Sequence, residues 1–192
     1  MAPDKNPRSP RKAAVAAKIP TIQEIAAGEI ARGNKVVYYT SYHDPASILR
    51  REGAPDETLF IDGKTSSAQR VRAVRRFHQD SDANEITITA AGTESIDLTP
   101  ATAIIFGNQP LTYADYKQTV DRLHRRGQDK VVRVYDPIAV GTIDVRIEAL
   151  ITAKREEFER LVADSKEEES WFAESDRKNA GMVIGEMLES LV

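Results

Sequence analysis

Cysteine is absent from the 192-residue chain, which excludes disulfide bonds, thiolate metal sites and a cysteine nucleophile. A chain without cysteine suits a reducing compartment, and we expect a cytoplasmic protein. No apolar run reaches the roughly 18 residues that a membrane helix requires. The start of the chain is basic but lacks the apolar core of a signal peptide, so no membrane partner is expected.

A complete nucleotide site is also missing. The pattern G-x-x-x-x-G-K-S/T of a phosphate-binding loop does not occur, and no acidic box follows a predicted strand where it would hold magnesium. The histidines His43, His78 and His124 are too scattered along the chain to predict a metal site. We therefore expect no metal to be bound by this chain alone.

Charge is distributed unevenly along the chain. Residues 1–18 contain five basic residues and one acidic residue, whereas residues 147–192 contain six basic and twelve acidic residues. The first 18 residues mix Pro, Lys, Arg and Ala without a stable apolar period, which predicts a flexible basic arm. Such an arm either contacts nucleic-acid phosphates or is a solvated tail.

Strand and helix patterns alternate through the middle of the chain. Buried-strand patterns occupy residues 35–42, 58–63, 85–91, 101–107 and 131–135, and helical patterns occupy 19–32, 44–53, 66–79 and 113–126. This alternation predicts an α/β fold with a parallel sheet covered on both faces. We expect this lobe to span residues 19–141.

The pattern after Gly141 is purely helical. Thr142 or Asp144 is expected to cap a helix over residues 142–165, followed by an acidic helical tail over 166–192. The apolar stripe of the first helix is formed by Ile147, Leu150, Ile151, Phe158 and Leu161.

The segment QTVDRLHRRGQ, residues 118–128, carries the first candidate site. Gln118, Arg122 and Arg125 have the spacing i, i+4, i+7, so they share one face of the predicted helix. Guanidinium groups grip phosphate oxygens in two places, which favours an anionic ligand. The alternative is an ordinary surface helix with local ion pairs, such as Asp121 with Arg125.

The segment TITAAGTESIDL, residues 87–98, carries the second candidate site. A strand runs into small residues and a polar loop, and ligands of parallel α/β sheets bind at the carboxyl ends of strands. The hydroxyls and amides of Thr89, Gly92, Thr93 and Ser95 are suited to a phosphate backbone. Many strand-to-helix loops look similar, so an unspecialised loop is the alternative.

Several segments together resemble helicase motifs of Swi/Snf-family ATPases. QTVDRLHRRGQ resembles motif VI, TITAAGTESIDLTPATAIIF resembles motif V and the following strand, and KVVYYTSYHDPASIL resembles motif IV. FIDGKTSSAQRVRAVRRFHQD resembles the block after motif IV, and GTIDVRIEALITAKREEF resembles the helix that braces the second lobe against the first. The resemblance covers about residues 19–163, with the motifs in the family's order and spacing.

The resemblance implies the second RecA-like lobe, or helicase C-terminal domain, of a superfamily-two DNA-dependent ATPase. The implied fold is a RecA-like parallel sheet with helices on both faces and a C-terminal helical extension, in which residues 142–165 are the brace-like helix. Members of the family hydrolyse ATP between two RecA-like lobes and translocate on double-stranded DNA.

The resemblance also assigns roles to residues. Arg122 and Arg125 take the arginine positions of motif VI, with Arg125 as the arginine finger for a γ-phosphate held by the first lobe, and Gln118 belongs to the same nucleotide-facing surface. Contacts with DNA are implied for Thr40, Ser41, Gly63, Lys64, Thr65, Thr89, Ala91, Gly92 and Thr93.

Two stretches depart from the family pattern. In motif V, Thr93, Ser95 and Asp97 follow Gly92 where the family has a further glycine and an asparagine, and Glu94 adds a negative charge. Before motif VI, residues 111–113 replace the usual Trp-Asn-Pro. Both departures bear on DNA contact and on coupling to the nucleotide.

Two functions remain open from the sequence. The first is a split motor of a bacteriophage or mobile element, in which a separately encoded N-terminal lobe binds ATP and Mg²⁺ and this chain contributes the arginine finger and part of the DNA track. The second is a non-catalytic DNA- or protein-binding regulatory module derived from a helicase lobe. An excised fragment of a longer protein is a third origin. An isolated lobe exposes apolar surface, so self-association is also expected.

Overall fold

The computed structural model describes residues 9–42, 59–92, 96–125 and 127–164, with side chains as far as residue 160. The helices in these ranges are α1 (Pro10–Ala31), α2 (Ser67–Gln79), α3 (Tyr113–Val120) and α4 (Asp144–Asp164). The strands are β1 (Lys35–Thr40), β2 (Leu59–Ile61), β3 (Glu85–Thr89), β4 (Ala101–Phe106) and β5 (Arg133–Tyr135). A 3₁₀ turn, Ala90–Gly92, follows β3 directly.

The strands form one parallel sheet in the order β2-β3-β1-β4-β5, which confirms the predicted fold class. In the register of the sheet, Tyr38 of β1 pairs with Thr87 of β3 and with Ile105 of β4. Because all strands run the same way, their last residues lie along one edge, called here the carboxyl edge, and their first residues lie along the opposite amino edge.

Both faces of the sheet are covered, as predicted. Val37 and Tyr39 of β1 pack in a core with Phe77 of α2. The alternate β1 residues Val36 and Tyr38 point to the other face and pack in a core with α1 residues Val15, Ile22 and Ala26. This alternation follows from the two-residue period of a strand, and it makes β1 the centre of both cores.

The predicted flexible arm is wrong for residues 10–18, which form the first part of α1. Pro10 lies in the first turn, where a helix tolerates its missing N–H group. Ala14 and Val15 are fully buried, and Ala14 packs against Ile143 and Ile147. This segment packs against α4, which lies far away in the sequence, and against the sheet. Residues 1–8 lie outside the described residues.

The C-terminal helical extension is confirmed as α4, which packs against α1 of the same lobe. Ile147 and Ile151 are buried in this contact, whereas Leu150 and Phe158 are only half-buried. The hydroxyl of Thr142, two residues before α4 begins, accepts a hydrogen bond from the amide of Asp144 at 3.2 Å and so satisfies the first amide of the helix.

Some predictions lie outside the described residues: the side chain of Leu161, the helix over 44–53 and the tail over 166–192. None of the helices that the structure describes has the length and apolar character that crossing a bilayer requires.

Candidate functional site

The motif VI segment leaves regular helix earlier than predicted. Helix α3 ends at Val120, and residues 121–124 continue as turns in which the amides of Leu123 and His124 donate to the carbonyl of Val120 at 2.9 and 3.1 Å. Leu123 is fully buried in the core, which draws the chain inward. The prediction of one regular helix face for Gln118, Arg122 and Arg125 is therefore wrong, since only Gln118 lies on α3.

The same segment is fastened to the chain that enters β4. The amide of Leu98 donates to the carbonyl of Arg122 at 3.2 Å. The side-chain Nε2 of Gln128 donates to the carbonyls of Thr99 and Ala101 at 2.7 and 3.1 Å. These bonds place the motif VI segment at the amino edge of the sheet. Sequence reasoning assigned no role to Gln128, although it closes the matched motif.

Arg125 is exposed where this segment reaches the surface. Within the described part of the chain, its guanidinium takes part in no ion pair and no side-chain hydrogen bond. The alternative pairing with Asp121 is not formed, because that carboxylate pairs with Lys117 at 3.1 Å. Gln118 is also exposed, and Arg122 is half-buried. A charged group is thus presented outward on an anchored backbone.

Asp97 is an acidic residue whose pKa is affected by the charge of Arg125. Burial acts to raise the pKa of Asp97, but hydrogen bonds from the hydroxyl and amide of Thr99 and the charges of His78 and Arg125 lower it below its ordinary value. His78 Nε2 lies 3.0 Å from the carbonyl oxygen of Asp97. Asp97 therefore carries a negative charge near the exposed guanidinium.

The end of β1 supplies the first part of the carboxyl edge. Thr40 is fully buried, its hydroxyl donates to Asn108 Oδ1 at 3.0 Å, and it accepts from the amide of Tyr42 at 3.1 Å. A direct contact of the Thr40 side chain with DNA is therefore contradicted, since the group is buried and its hydrogen is used. Ser41 is half-buried and keeps a route to the surface.

Asn108, which sequence reasoning missed, holds this segment. Its side-chain oxygen accepts from the amide of Ser41 at 2.9 Å, and its Nδ2 donates to the hydroxyl of Ser41 at 2.9 Å. The available signal was a polar residue placed just after the buried strand β4, at the edge where parallel sheets bind ligands.

The loop after β2 supplies the second part of the carboxyl edge. One carboxylate oxygen of Asp62 accepts from the amides of Lys64 and Thr65 at 2.9 and 2.8 Å and from the hydroxyl of Thr65 at 2.8 Å. The Thr65 hydroxyl also accepts from the amide of Asp62 at 2.9 Å. The Thr65 side chain is therefore used within the loop, whereas Lys64 is exposed.

The turn after β3 lies directly on the end of β2. A Cβ atom built on Gly92 would lie 2.4 Å from the carbonyl oxygen of Ile61, and one built on Gly63 would lie 3.0 Å from Ala91 Cβ. Thr89 is buried below this contact, and Ala91 is exposed. The structure thus joins the two predicted DNA-contact loops; Thr93 lies outside the described residues.

The candidate residues form two groups at opposite edges of the sheet. The motif VI segment lies beside the start of β4, and Ser41, Lys64 and Ala91 lie where the strands end. Among the described residues, no group of three or more acidic or histidine side chains is arranged to hold a metal ion.

The helicase conserved C-terminal domain family matches residues 17–127. The human DNA annealing helicase and endonuclease ZRANB3 is 30% identical over 123 residues, covering 59% of this chain and 11% of that protein. The chain spans less than a fifth of the curated relatives that it matches.

Two solved structures are similar in fold. The C-terminal part of the Fun30 ATPase domain matches with a TM-score of 0.63 and 25% identity, covering 70% of this chain and 44% of that one. The Sulfolobus solfataricus SWI2/SNF2 ATPase core in complex with double-stranded DNA matches with a TM-score of 0.60 and 27% identity, covering 77% and 32%. The chain therefore belongs to the helicase conserved C-terminal domain family, as the second RecA-like lobe of a Swi/Snf-type superfamily-two ATPase.

Proposed function

We propose that this lobe completes a DNA-dependent ATPase by presenting Arg125 to the γ-phosphate of ATP held by an N-terminal ATP-binding lobe. The observation that carries the proposal is the anchored motif VI segment, in which Leu123 is buried and Gln128 bonds to the chain entering β4 while Arg125 is exposed. ATP and Mg²⁺ bind only in the complex, because this sequence contains no phosphate-binding loop.

The role proposed for Arg125 is electrostatic. Negative charge builds on the γ-phosphate oxygens during transfer to water, and a guanidinium placed in advance stabilises that charge. Arg122 supports the same surface from its half-buried position, and the exposed amide of Gln118 adds a polar group. Supplying an arginine in this way changes turnover by about 10³-fold or more.

In the same proposal, the carboxyl edge is part of the track for double-stranded DNA. Ser41 offers a hydroxyl and Lys64 an exposed ammonium at this edge. Groups of these kinds bind backbone phosphates without reading the base sequence. The similarity to a SWI2/SNF2 ATPase core in complex with double-stranded DNA supports this partner.

The test is ATP hydrolysis by this chain mixed with a first lobe of a Swi/Snf-type ATPase, with and without duplex DNA. We expect DNA-stimulated turnover in the mixture and none from this chain alone. Arg125→Ala is expected to lower that turnover about 10³-fold. Arg75→Ala, which removes an exposed arginine of α2, is the matched control and is expected to keep it. Loss of turnover with both variants would count against a specific role of Arg125.

Mixing two chains also tests whether the ATP-binding lobe acts as a separate polypeptide. If turnover appears only when the two lobes are joined in one polypeptide, the separately encoded arrangement is wrong, although the role of Arg125 survives.

A non-catalytic binding module is the second candidate, and Asp97 favours it. This carboxylate stands where the family has an asparagine, and its charge near Arg125 offsets the cation that a nucleotide would meet. DNA or partner binding that is unchanged in Arg125→Ala, together with no turnover in any mixture or fusion, would favour this function.

A further inference from the structure

Asn108 uses its whole hydrogen-bonding capacity inside the protein. Its side chain is 3% exposed. Oδ1 accepts from the Thr40 hydroxyl at 3.0 Å and from the Ser41 amide at 2.9 Å. Nδ2 donates to the Ser41 hydroxyl oxygen at 2.9 Å and to the Gln109 carbonyl at 3.1 Å. Two acceptor and two donor bonds complete the inventory of a primary amide.

The chemistry of the neighbours fixes which way this amide faces. The backbone amide of Ser41 can only donate, and the carbonyl of Gln109 can only accept. Exchanging the oxygen and nitrogen of Asn108 would therefore oppose donor to donor and acceptor to acceptor. It follows that the Thr40 hydroxyl must donate to Asn108, whereas the Ser41 hydroxyl must accept from it.

The single hydrogen of the Ser41 hydroxyl is consequently directed away from Asn108. The hydroxyl of Tyr39 also hydrogen-bonds with Ser41, and burial raises the pKa of Tyr39 to about 12. The phenol therefore keeps its proton at neutral pH. Ser41 is half-buried at the carboxyl edge, so the serine hydrogen that Asn108 does not accept has a route to a ligand at that edge.

Two cations lie beside the residue that follows Ser41. Above the ring of Tyr42, the guanidinium carbon of Arg11 lies 5.6 Å and the ammonium of Lys12 lies 5.9 Å from the centroid. Arg11 also donates to the carbonyl of Gln109 at 3.3 Å, next to Asn108. Helix α1 thus brings positive charge to this corner. A hydroxyl donor beside cations suits phosphate oxygens, which only accept hydrogen bonds.

We infer that Asn108 is a positioning residue that makes the Ser41 hydroxyl a hydrogen-bond donor to a backbone phosphate of double-stranded DNA. The inference rests on the proposed function, because it assigns the contact within the proposed DNA track. Asn108 itself is buried and does not touch the DNA.

The test is a double-mutant cycle on duplex-DNA affinity, measured with the full chain and its first lobe at fixed salt. Asn108→Asp keeps the size of the side chain and the acceptor for the Ser41 amide, but its carboxylate accepts the serine hydrogen. Ser41→Ala removes the donor and leaves Asn108 in place. Each single change is expected to weaken binding about tenfold, the value of one hydrogen bond to a charged group.

The double-mutant cycle separates a positioning role of Asn108 from the effect of the negative charge that Asn108→Asp adds. If Asn108 acts through Ser41, Asn108→Asp weakens binding less than about twofold in the Ser41→Ala background. An equal loss in both backgrounds means that the added charge alone acts, and it overturns the inference. Asn84→Asp adds the same charge at the amino edge, and this variant is expected to bind duplex DNA as tightly as the unsubstituted chain.

Two further outcomes are distinguishable. Unchanged affinity of Ser41→Ala, with DNA still bound by the parent, overturns this inference and leaves the proposed function standing. Failure of the parent complex to bind duplex DNA overturns the proposed track itself, and the inference with it. Protection of the Ser41 amide from hydrogen exchange in Asn108→Asp is the check that the β1 end remains folded.

Discussion

Gly92 lies so close to Ile61 that a Cβ atom at the glycine would be 2.4 Å from the carbonyl oxygen of the isoleucine. This contact joins the turn after β3 to the end of β2 through backbone alone. The two loops that follow these strands carry Lys64 and Ala91. The distance between these two loops therefore depends on the absence of a side chain at Gly92.

Gly92→Ala is expected to destabilise the lobe by about 1–3 kcal/mol, because backbone must move to admit the methyl group. The free energy of unfolding in urea measures this loss. Gly28→Ala is the matched control, since it lies inside α1 and a Cβ atom built on it would lie 3.7 Å from the flexible side chain of Arg32. That control is expected to stabilise by about 0.5–1 kcal/mol. Equal effects of the two changes would contradict the contact with Ile61.

Lys18 and Asp144 form an ion pair at 2.5 Å between α1 and α4, with side chains 5% and 9% exposed. Lys18→Met is expected to lower the free energy of unfolding by about 3–5 kcal/mol, because it leaves a buried carboxylate without its cation. Asp144→Leu loses more, since Asp144 also accepts from the amide of Ala139 at 3.3 Å. The double variant is expected to lose less than the two single losses combined, and simple additivity would show that the pair does not interact.

Glu29 is expected to make the free energy of unfolding of the lobe depend on pH. Burial acts to raise the pKa of Glu29, but hydrogen bonds from Tyr135 and Asn34 and the charges of Arg133 and Arg32 outweigh it and lower the pKa below 4.5. The unfolded chain thus binds the proton more readily than the folded one. The stabilisation is complete above about pH 4.5 and is lost as the pH falls through the folded pKa.

Glu29→Gln is expected to cost about 1–3 kcal/mol at pH 7 and progressively less below about pH 4.5. Urea unfolding of the parent and the variant over this pH range measures the difference. Glu24→Gln makes the same chemical change at an exposed position of α1 and is expected to have little effect at any pH. A difference between parent and Glu29→Gln that does not vary with pH would refute the assignment.

The side-chain N–H group of Gln128 is expected to stabilise the folded lobe through the hydrogen bonds that it donates. Gln128→Glu turns a carboxylate toward the carbonyls of Thr99 and Ala101, which is expected to destabilise by about 1–3 kcal/mol at pH 7. Acidification restores a donor, so the loss is expected to shrink at low pH. Gln118→Glu, at an exposed position, is the control for the added charge. A loss that is the same for both variants would mean that these bonds contribute nothing.

Local patterns identified most of the fold because they depend on neighbours in the sequence. The two-residue alternation of β1, with Val37 and Tyr39 on one face and Val36 and Tyr38 on the other, is a property of any strand buried on both sides. The order of motif segments likewise identified the lobe without coordinates. The end of α3 was not predicted: the helix stops at Val120 because the following turns carry Leu123 into a core that the sequence does not reveal.

The candidate site was predicted only in part, for the same reason. Thr40 and Ser41 are adjacent hydroxyl residues, and no sequence rule separates the buried one from the half-buried one. Asn108 distinguishes them from 68 and 67 residues away, by accepting from the hydroxyl of Thr40 and donating to that of Ser41. The role of Arg125 stays a prediction from its motif, whereas the bonds of Gln128 at the amino edge were not predicted.

The sequence by itself determined the parallel α/β class, the family and the residue types available for phosphate chemistry, because periodicity and motif spacing are written along the chain. Tertiary structure alone decided that residues 10–18 are helical, that Thr40 is buried and that Asn108 orients Ser41. Each of these depends on a partner distant in sequence: α4 for the start of α1, and the end of β4 for the end of β1. Burial and hydrogen-bond direction arise only when such segments meet.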